Sequence, residues 1–111
     1  MKIGFLGFGV MGSPMSVNVV KKCGCQVLGY DVVKSHLENF VKSGGIAVTD
    51  PVEIYKTCDV IMQILPTHPI IINSIDQAIK YGKPGNVIID LSSTAPHIIQ
   101  ELYPKVRAAN M

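Results

Sequence analysis

Apolar residues along the chain fall into two patterns that alternate from the N-terminus onward. Short, almost wholly apolar runs predict buried strands, whereas apolar residues spaced three or four apart predict helices with one buried face. The strand-type runs are Lys2–Leu6, Gln26–Tyr30, Ile46–Val48, Asp59–Leu65 and Val87–Asp90. The helical patterns cover about Val10–Lys22, Val33–Ser43, Pro51–Tyr55, Ile70–Lys80 and Pro96–Ala109, the last starting near Ser93 or Thr94.

Turn-forming residues mark several of the predicted helix ends. Gly24 follows the first helical pattern and Gly44 follows the second, at positions where glycine commonly ends a helix. Asp50 before Pro51 offers an N-cap followed by a proline in the first turn. Because apolar strands alternate with helices, we expect a parallel sheet covered on both faces and joined by right-handed crossovers. The sequence therefore predicts one doubly wound α/β domain over residues 1–111.

Composition narrows the classes of function. With 48% hydrophobic and 16% charged residues the chain has ample material for a core. A net charge of +2 with scattered basic residues indicates neither a nucleic acid nor an anionic membrane as partner. No apolar run approaches the roughly 18 residues of a membrane helix, and the N-terminus lacks the layout of a secretory signal.

The cysteines point to a reducing setting. Their number, three, is odd, and Cys23 and Cys25 are separated by one residue, which is too close for the usual zinc-binding pair. We therefore expect no disulfide framework and no metal site. A cytoplasmic location is the simplest account, with the mitochondrial matrix as the alternative if a transit peptide has been removed.

A glycine-rich segment follows directly on the first predicted strand. Gly7, Gly9 and Gly12 form a G-x-G-x-x-G pattern that suits a tight turn, a close approach of phosphate to backbone, and close packing of helix on strand. The N–H groups of Val10, Met11 and Gly12 would lie at the N-terminus of the first helix, where an anion is favoured. The segment therefore predicts a dinucleotide-binding loop.

Asp31 ends the second predicted strand, about 20 residues after the glycines, which is the usual distance in dinucleotide-binding domains. A carboxylate at this position accepts hydrogen bonds from the adenosine ribose hydroxyls and repels the additional phosphate of NADP. No arginine follows it, although Lys34 keeps NADP open as the less favoured alternative. We expect NAD as the cofactor.

Three segments resemble the β-hydroxyacid dehydrogenase family, of the 3-hydroxyisobutyrate dehydrogenase and tartronate semialdehyde reductase type. The family pattern G-x-G-x-M-G-x-x-M-x-x-N is matched by Gly7, Gly9, Met11, Gly12, Met15 and Asn18. A later strand of the family ends in Leu-Pro, which corresponds to Leu65 and Pro66. The pattern D-x-S-T-x-x-P is matched by Asp90, Ser92 and Pro96, with Ser93 in place of the threonine.

The resemblance implies a Rossmann-type NAD-binding domain and a set of cofactor contacts. In this numbering the contacts would be Gly7, Phe8, Gly9, Val10, Met11, Gly12, Asp31, Leu65, Pro66 and Ser93. Ser93 would approach the nicotinamide end of the cofactor, and a role as N-cap of the last helix is its alternative. Of the three histidines, His36 and His97 are expected on exposed or first-turn helix positions, and His68 alone near the site.

Family members continue with a further strand, a glycine-rich substrate segment and a helical domain that carries the catalytic lysine and a nearby asparagine. No lysine here lies in that setting, so we name no catalytic residue. We expect the cofactor part of an enzyme, inactive alone, that transfers a hydride between nicotinamide and a small 3-hydroxy acid in a homo-oligomeric parent. The alternatives are a non-catalytic nucleotide-binding module and the cofactor domain of an imine reductase or 6-phosphogluconate dehydrogenase.

Overall fold

The chain forms a parallel sheet with helices between its strands. The computed structural model describes residues 1–9, 12–92 and 96–111, with the backbone alone at 96–99. The strands are β1 (Lys2–Leu6), β2 (Gln26–Tyr30), β3 (Ile46–Ala47), β4 (Val60–Gln63) and β5 (Val87–Asp90). The helices are α1 (Gly12–Cys23), α2 (Glu38–Lys42), α3 (Pro51–Thr57), α4 (His68–Tyr81) and α5 (Pro96–Ala108), and a 3₁₀ turn covers Lys34–Leu37. The predicted doubly wound α/β fold is confirmed.

The strand order indicates that a ligand would bind at the carboxyl ends of the strands. The order is β3-β2-β1-β4-β5, and β1 pairs in parallel with both β2 and β4. The chain direction along the sheet therefore reverses at β1, and ligands bind open α/β sheets beyond the carboxyl ends of the strands at such a point. The segments that follow β1, β2 and β4 meet there.

The core lies on both faces of the sheet, as the apolar strands predict. Neighbouring residues of β1 point to opposite faces: Phe5 joins a cluster with Phe8 and Phe40, whereas Leu6 joins one with Ile54. All of these side chains are buried. The first cluster lies under α1 and α2, and the second under α3 and α4, so each helix pair covers one face.

Phe40 is the anchor of α2 and explains the glycines around it. A Cβ added at Gly29 or at Gly45 would collide with the Phe40 ring. From Gly29 the added Cβ would lie 2.6 Å from a ring carbon. The ring packs edge-on against Phe8 with 4.8 Å between centroids. These contacts link α2 to the segment that follows β1.

The second predicted helix differs from the structure. The sequence predicts one helix over Val33–Ser43, but a 3₁₀ turn at Lys34–Leu37 precedes the five-residue α2. Val33 is extended at the start of the turn, and no side chain caps the N-terminus there. Without a cap, the first turn of an α-helix is poorly stabilised, so a tighter turn takes its place.

The other elements differ from prediction only at their ends. β4 is shorter than the predicted Asp59–Leu65, although the Asp59 and Ile64 N–H groups still donate to carbonyls of β1. α3 extends to Thr57 from the expected Asp50 cap, whose carboxylate accepts the Val52 N–H at 3.0 Å. α4 begins at His68. The expected start of α5 near Ser93 or Thr94 lies outside the described residues.

The described part of the chain offers neither a membrane-spanning helix nor a cluster of metal-ligating side chains. None of its helices is long and apolar enough to cross a membrane. Its histidine, cysteine and acidic side chains form no group of three that could hold a metal ion. The three cysteines are free thiols, and Cys58 is fully buried.

Candidate functional site

The three glycines after β1 have different local requirements. Gly7 has φ +92°, in the left-handed region, and a Cβ there would overlap the carbonyl of Ile64, the residue that follows β4. A Cβ at Gly12 would overlap the Gly7 carbonyl, so only glycine lets α1 start this close to β1. A Cβ at Gly9, in contrast, would have no described heavy atom within 4 Å beyond its chain neighbours. Two glycines are therefore needed for packing, and Gly9 leaves open space.

The carboxylate of Asp31 connects the end of β2 to the glycine loop, residues 7–12. Its Oδ2 accepts the Phe8 N–H at 2.7 Å, and its Oδ1 accepts the Val33 N–H at 2.8 Å. The side chain is 10% exposed. Because each carboxylate oxygen can accept more than one hydrogen bond, acceptor capacity remains after these two contacts.

His36 lies closer to this carboxylate than the sequence indicates. We expected it on an exposed helix position and expected His68 alone near the site. The side chain is 43% exposed, but its Nδ1 is 3.3 Å from Asp31 Oδ2 because the 3₁₀ turn brings it toward the end of β2. The expectation that only His68 lies near the site is therefore wrong. The His97 side chain lies outside the described residues.

A cavity of about 710 Å³ opens at the carboxyl ends of the strands. Gly9 and Asp31 line one part of it, Leu65 and Pro66 another, and Tyr55 of α3 a third. Its volume is in the range of small-molecule sites, and its walls are mostly apolar with a few polar groups. The cavity thus brings together the glycine loop, the acidic residue and the Leu-Pro segment, which are far apart in sequence.

A second cavity of about 490 Å³ shares the Leu-Pro segment, Leu65 and Pro66, with the first. Leu65, Pro66, His68 and Ser92 contribute to its walls. The Leu65 N–H donates to Ser92 Oγ at 2.8 Å, and the Ser92 N–H donates to Asp90 Oδ1 at 3.1 Å. The Asp90–Ser92 segment at the end of β5 therefore holds the Leu-Pro segment after β4 in place. Of the candidate contacts, Val10, Met11 and Ser93 lie outside the described residues.

A buried polar chain under the larger cavity was not found from the sequence. The hydroxyls of Tyr55 and Ser74 are 2.8 Å apart, and Ser74 Oγ donates to Gln63 Oε1 at 2.8 Å. Burial raises the pKa of the Tyr55 phenol. Gln63 is 1% exposed, and its Nε2 has no partner among the described residues. The available signal was Gln63 itself, a lone polar residue in an apolar strand.

Because Ser74 donates its one hydroxyl proton to Gln63, it is the Tyr55 hydroxyl that donates the hydrogen bond to Ser74 Oγ. Tyr55 and Ser74 both line the larger cavity. The chain runs from Tyr55 of α3 through Ser74 of α4 to Gln63 of β4. It therefore ties two residues of the cavity wall to the sheet.

Known proteins resemble this chain in both sequence and structure. A family model described as the NAD binding domain of 6-phosphogluconate dehydrogenase matches residues 2–111. The chain is 32% identical over 99 residues to 2-(hydroxymethyl)glutarate dehydrogenase of Eubacterium barkeri, covering 86% of this chain and 33% of that protein. It is 33% identical over 110 residues to mitochondrial 3-hydroxyisobutyrate dehydrogenase of Bos taurus, covering 94% and 32%.

The solved structure of Mycobacterium tuberculosis 3-hydroxyisobutyrate dehydrogenase with L-serine superposes with a TM-score of 0.89 at 25% identity. The match covers 99% of this chain and 38% of that one. The chain thus spans about a third of the length of the curated relatives it matches. The family match over residues 2–111 and the fold agree, and the chain belongs to the family of NAD-binding domains typified by that of 6-phosphogluconate dehydrogenase.

Proposed function

We propose that this chain binds NAD in preference to NADP in the larger cavity, as the cofactor domain of an oxidoreductase acting on a small 3-hydroxy acid. The observation that carries the proposal is the position of Asp31. Its carboxylate lies in the cavity wall and accepts a hydrogen bond from the glycine loop at Phe8. A carboxylate at this position accepts hydrogen bonds from the ribose hydroxyls and repels a 2′-phosphate, which favours NAD over NADP.

The residues present fit a dinucleotide. The open space beside Gly9 is where a pyrophosphate can approach the backbone without meeting a side chain. Gly12 is the first residue of α1, and the N-terminus of a helix offers N–H groups and a partial positive charge to an anion. The cavity continues from there to Asp31 in one direction and to Leu65 in the other.

We assign the parts of the cofactor on this basis. The pyrophosphate lies over the backbone of residues 7–12, which includes Phe8, Val10 and Met11. The adenosine ribose lies at Asp31, and the nicotinamide half extends past Leu65 and Pro66 toward Ser93. For Val10, Met11 and Ser93 the assignment rests on the family pattern, and an N-cap role for Ser93 is compatible with it.

The names of two relatives support the proposed substrate class. Both 3-hydroxyisobutyrate and 2-(hydroxymethyl)glutarate are 3-hydroxypropanoates with a substituent at carbon 2. Bound NAD would supply the hydride acceptor for oxidation of the hydroxyl-bearing carbon. The remaining two thirds of these relatives have no counterpart in the 111 residues, and we propose that the substrate-binding and proton-transferring groups belong to that part.

The assembly and the compartment of the parent enzyme are a separate proposal. We propose a homo-oligomer in the cytoplasm, with the mitochondrial matrix as the alternative because the Bos taurus relative is named as mitochondrial. Fractionation of cells that express the tagged parent protein separates the two compartments. Recovery in the membrane pellet would contradict both.

Calorimetric titration of the 111-residue chain with NADH and NADPH tests the cofactor choice. We expect tighter binding of NADH, and Asp31→Ala should narrow the difference between the two. Asp76→Ala is the matched control, because it removes the same charge from an exposed position of α4 outside both cavities. Equal affinities of the unmutated chain for the two cofactors would contradict the role assigned to Asp31.

Turnover provides the test of the domain assignment. We expect the 111 residues to bind NAD but to oxidise 3-hydroxyisobutyrate no faster than a buffer control. The longer parent protein should oxidise 2-substituted 3-hydroxypropanoates, followed by NADH absorbance. Turnover by the 111 residues at a rate typical of enzymes, about 1 s⁻¹ or more, would show that the catalytic groups lie within them.

A further inference from the structure

Two thiols lie in contact at the C-terminus of α1, on a part of the molecule that the cofactor proposal does not use. The Sγ atoms of Cys23 and Cys25 are 3.1 Å apart, and the Cys25 thiol donates to Cys23 Sγ. Both side chains are partly exposed. Neither cysteine lines either of the two cavities.

The backbone between the two cysteines brings them together. Gly24 has φ +66°, the left-handed conformation that commonly follows the last residue of a helix. It turns the chain back, so that the Cys25 N–H also contacts Cys23 Sγ, at 3.4 Å. A disulfide requires its sulfurs at about 2.05 Å, so the two atoms need to approach by only about 1 Å.

The hydrogen bonds make the two sulfurs chemically different. The Cys25 thiol, and then the Cys25 backbone N–H, stabilise a negative charge on Cys23 and lower the pKa of the Cys23 thiol. The same contact raises the pKa of Cys25, because its proton is held between the two sulfurs. Thiolates attack disulfides and thiols do not, so Cys23 is the better nucleophile of the pair.

We propose that Cys23 and Cys25 form a thiol–disulfide exchange site that is oxidised to an intrachain disulfide by small disulfides of the oxidised glutathione type. The Cys23 thiolate attacks one sulfur of the small disulfide, forming a mixed disulfide and releasing one small thiolate. Cys25 then loses its proton to solvent and attacks Cys23 Sγ, which forms the Cys23–Cys25 bond and releases the second small thiolate. Two protein thiols are oxidised and one small disulfide is reduced to two thiols.

Thiol counting with intact mass analysis tests the proposal on the 111-residue chain. The reduced chain is incubated with oxidised glutathione, unfolded, alkylated and weighed. We expect three alkylated cysteines before incubation and one afterwards, with no retained glutathione, and recovery of three after dithiothreitol. Cys58 is the internal control, because its side chain is fully buried in the folded chain. Retained glutathione adducts, or three free thiols throughout, would overturn the proposal.

Single variants test the order of attack. Cys25→Ser should stop at a stable glutathione adduct on Cys23, since no second thiol is present to displace it. The hydroxyl introduced by Cys25→Ser can still donate a hydrogen bond to the Cys23 thiolate, so this adduct should form several-fold faster than the adduct on Cys25 in Cys23→Ser. Equal or reversed rates would contradict Cys23 as the attacking sulfur. The outcome is independent of cofactor binding, which can be measured separately on the same samples.

Discussion

The substitution Gly9→Ala separates the cofactor-binding role of the glycine loop from its structural role. The added methyl group would have no described heavy atom within 4 Å apart from its chain neighbours. The φ angle of Gly9 is not in the left-handed region, so alanine can adopt the same φ. We therefore expect the free energy of unfolding to change by no more than about 0.5 kcal/mol.

The effect on cofactor affinity should be much larger. The proposed pyrophosphate lies over Gly9, and a methyl group there would move it away from the backbone N–H groups. Losing one hydrogen bond to a charged group costs about 1.5–3 kcal/mol. That cost corresponds to a roughly 10- to 100-fold weaker affinity for NADH, since about 1.4 kcal/mol is tenfold.

Two measurements on one preparation decide the result. Calorimetry or NADH fluorescence gives the dissociation constant, and urea unfolding followed by circular dichroism gives the stability. The expected combination is native stability with weakened binding. Binding of NADH by Gly9→Ala within about twofold of the unmutated chain would refute the reasoning that places the pyrophosphate over Gly9.

Three other outcomes are expected. Gly12→Ala should lower the free energy of unfolding in urea by more than about 1 kcal/mol, because its Cβ would overlap the Gly7 carbonyl; native stability would contradict the packing described. Tyr55→Phe should lower the free energy of unfolding by about 1 kcal/mol, because it removes the hydrogen bond to Ser74. An unchanged urea midpoint would contradict that hydrogen bond. The folded-state pKa of Tyr55 is raised, so the stability advantage of the unmutated chain over Tyr55→Phe should be complete below about pH 10 and decrease as the pH rises above it. An advantage that grows above that pH would show the opposite sign of shift.

The sequence predicts the fold well because local patterns determine its elements. Alternation of apolar runs with helical spacing is enough to place β1, β2 and β5 at their observed bounds. Burial on both faces of a parallel sheet leaves β1 and β2 almost wholly apolar, so their pattern is strong. β5 is equally apolar although its alternate residues are exposed. The glycine loop and Asp31 are equally readable, because their spacing follows from one strand–helix–strand unit.

Contacts between distant segments could not be predicted in the same way. The chain from Tyr55 through Ser74 to Gln63 joins three elements, and no local spacing relates them. The hydrogen bond from Leu65 to Ser92 likewise spans two loops. His36 approaches Asp31 only because an uncapped helix start becomes a 3₁₀ turn, which the apolar pattern of that segment does not reveal.

Amide chemical-shift mapping of the nitrogen-15-labelled chain during titration with NADH tests the central claim most directly, since it detects weak binding and locates it. We expect saturable shifts concentrated in the glycine loop around Gly7, Gly9 and Gly12 and next to Asp31, with smaller ones near Leu65. Shifts concentrated elsewhere, or none at millimolar NADH, would contradict the account of this chain as an NAD-binding domain.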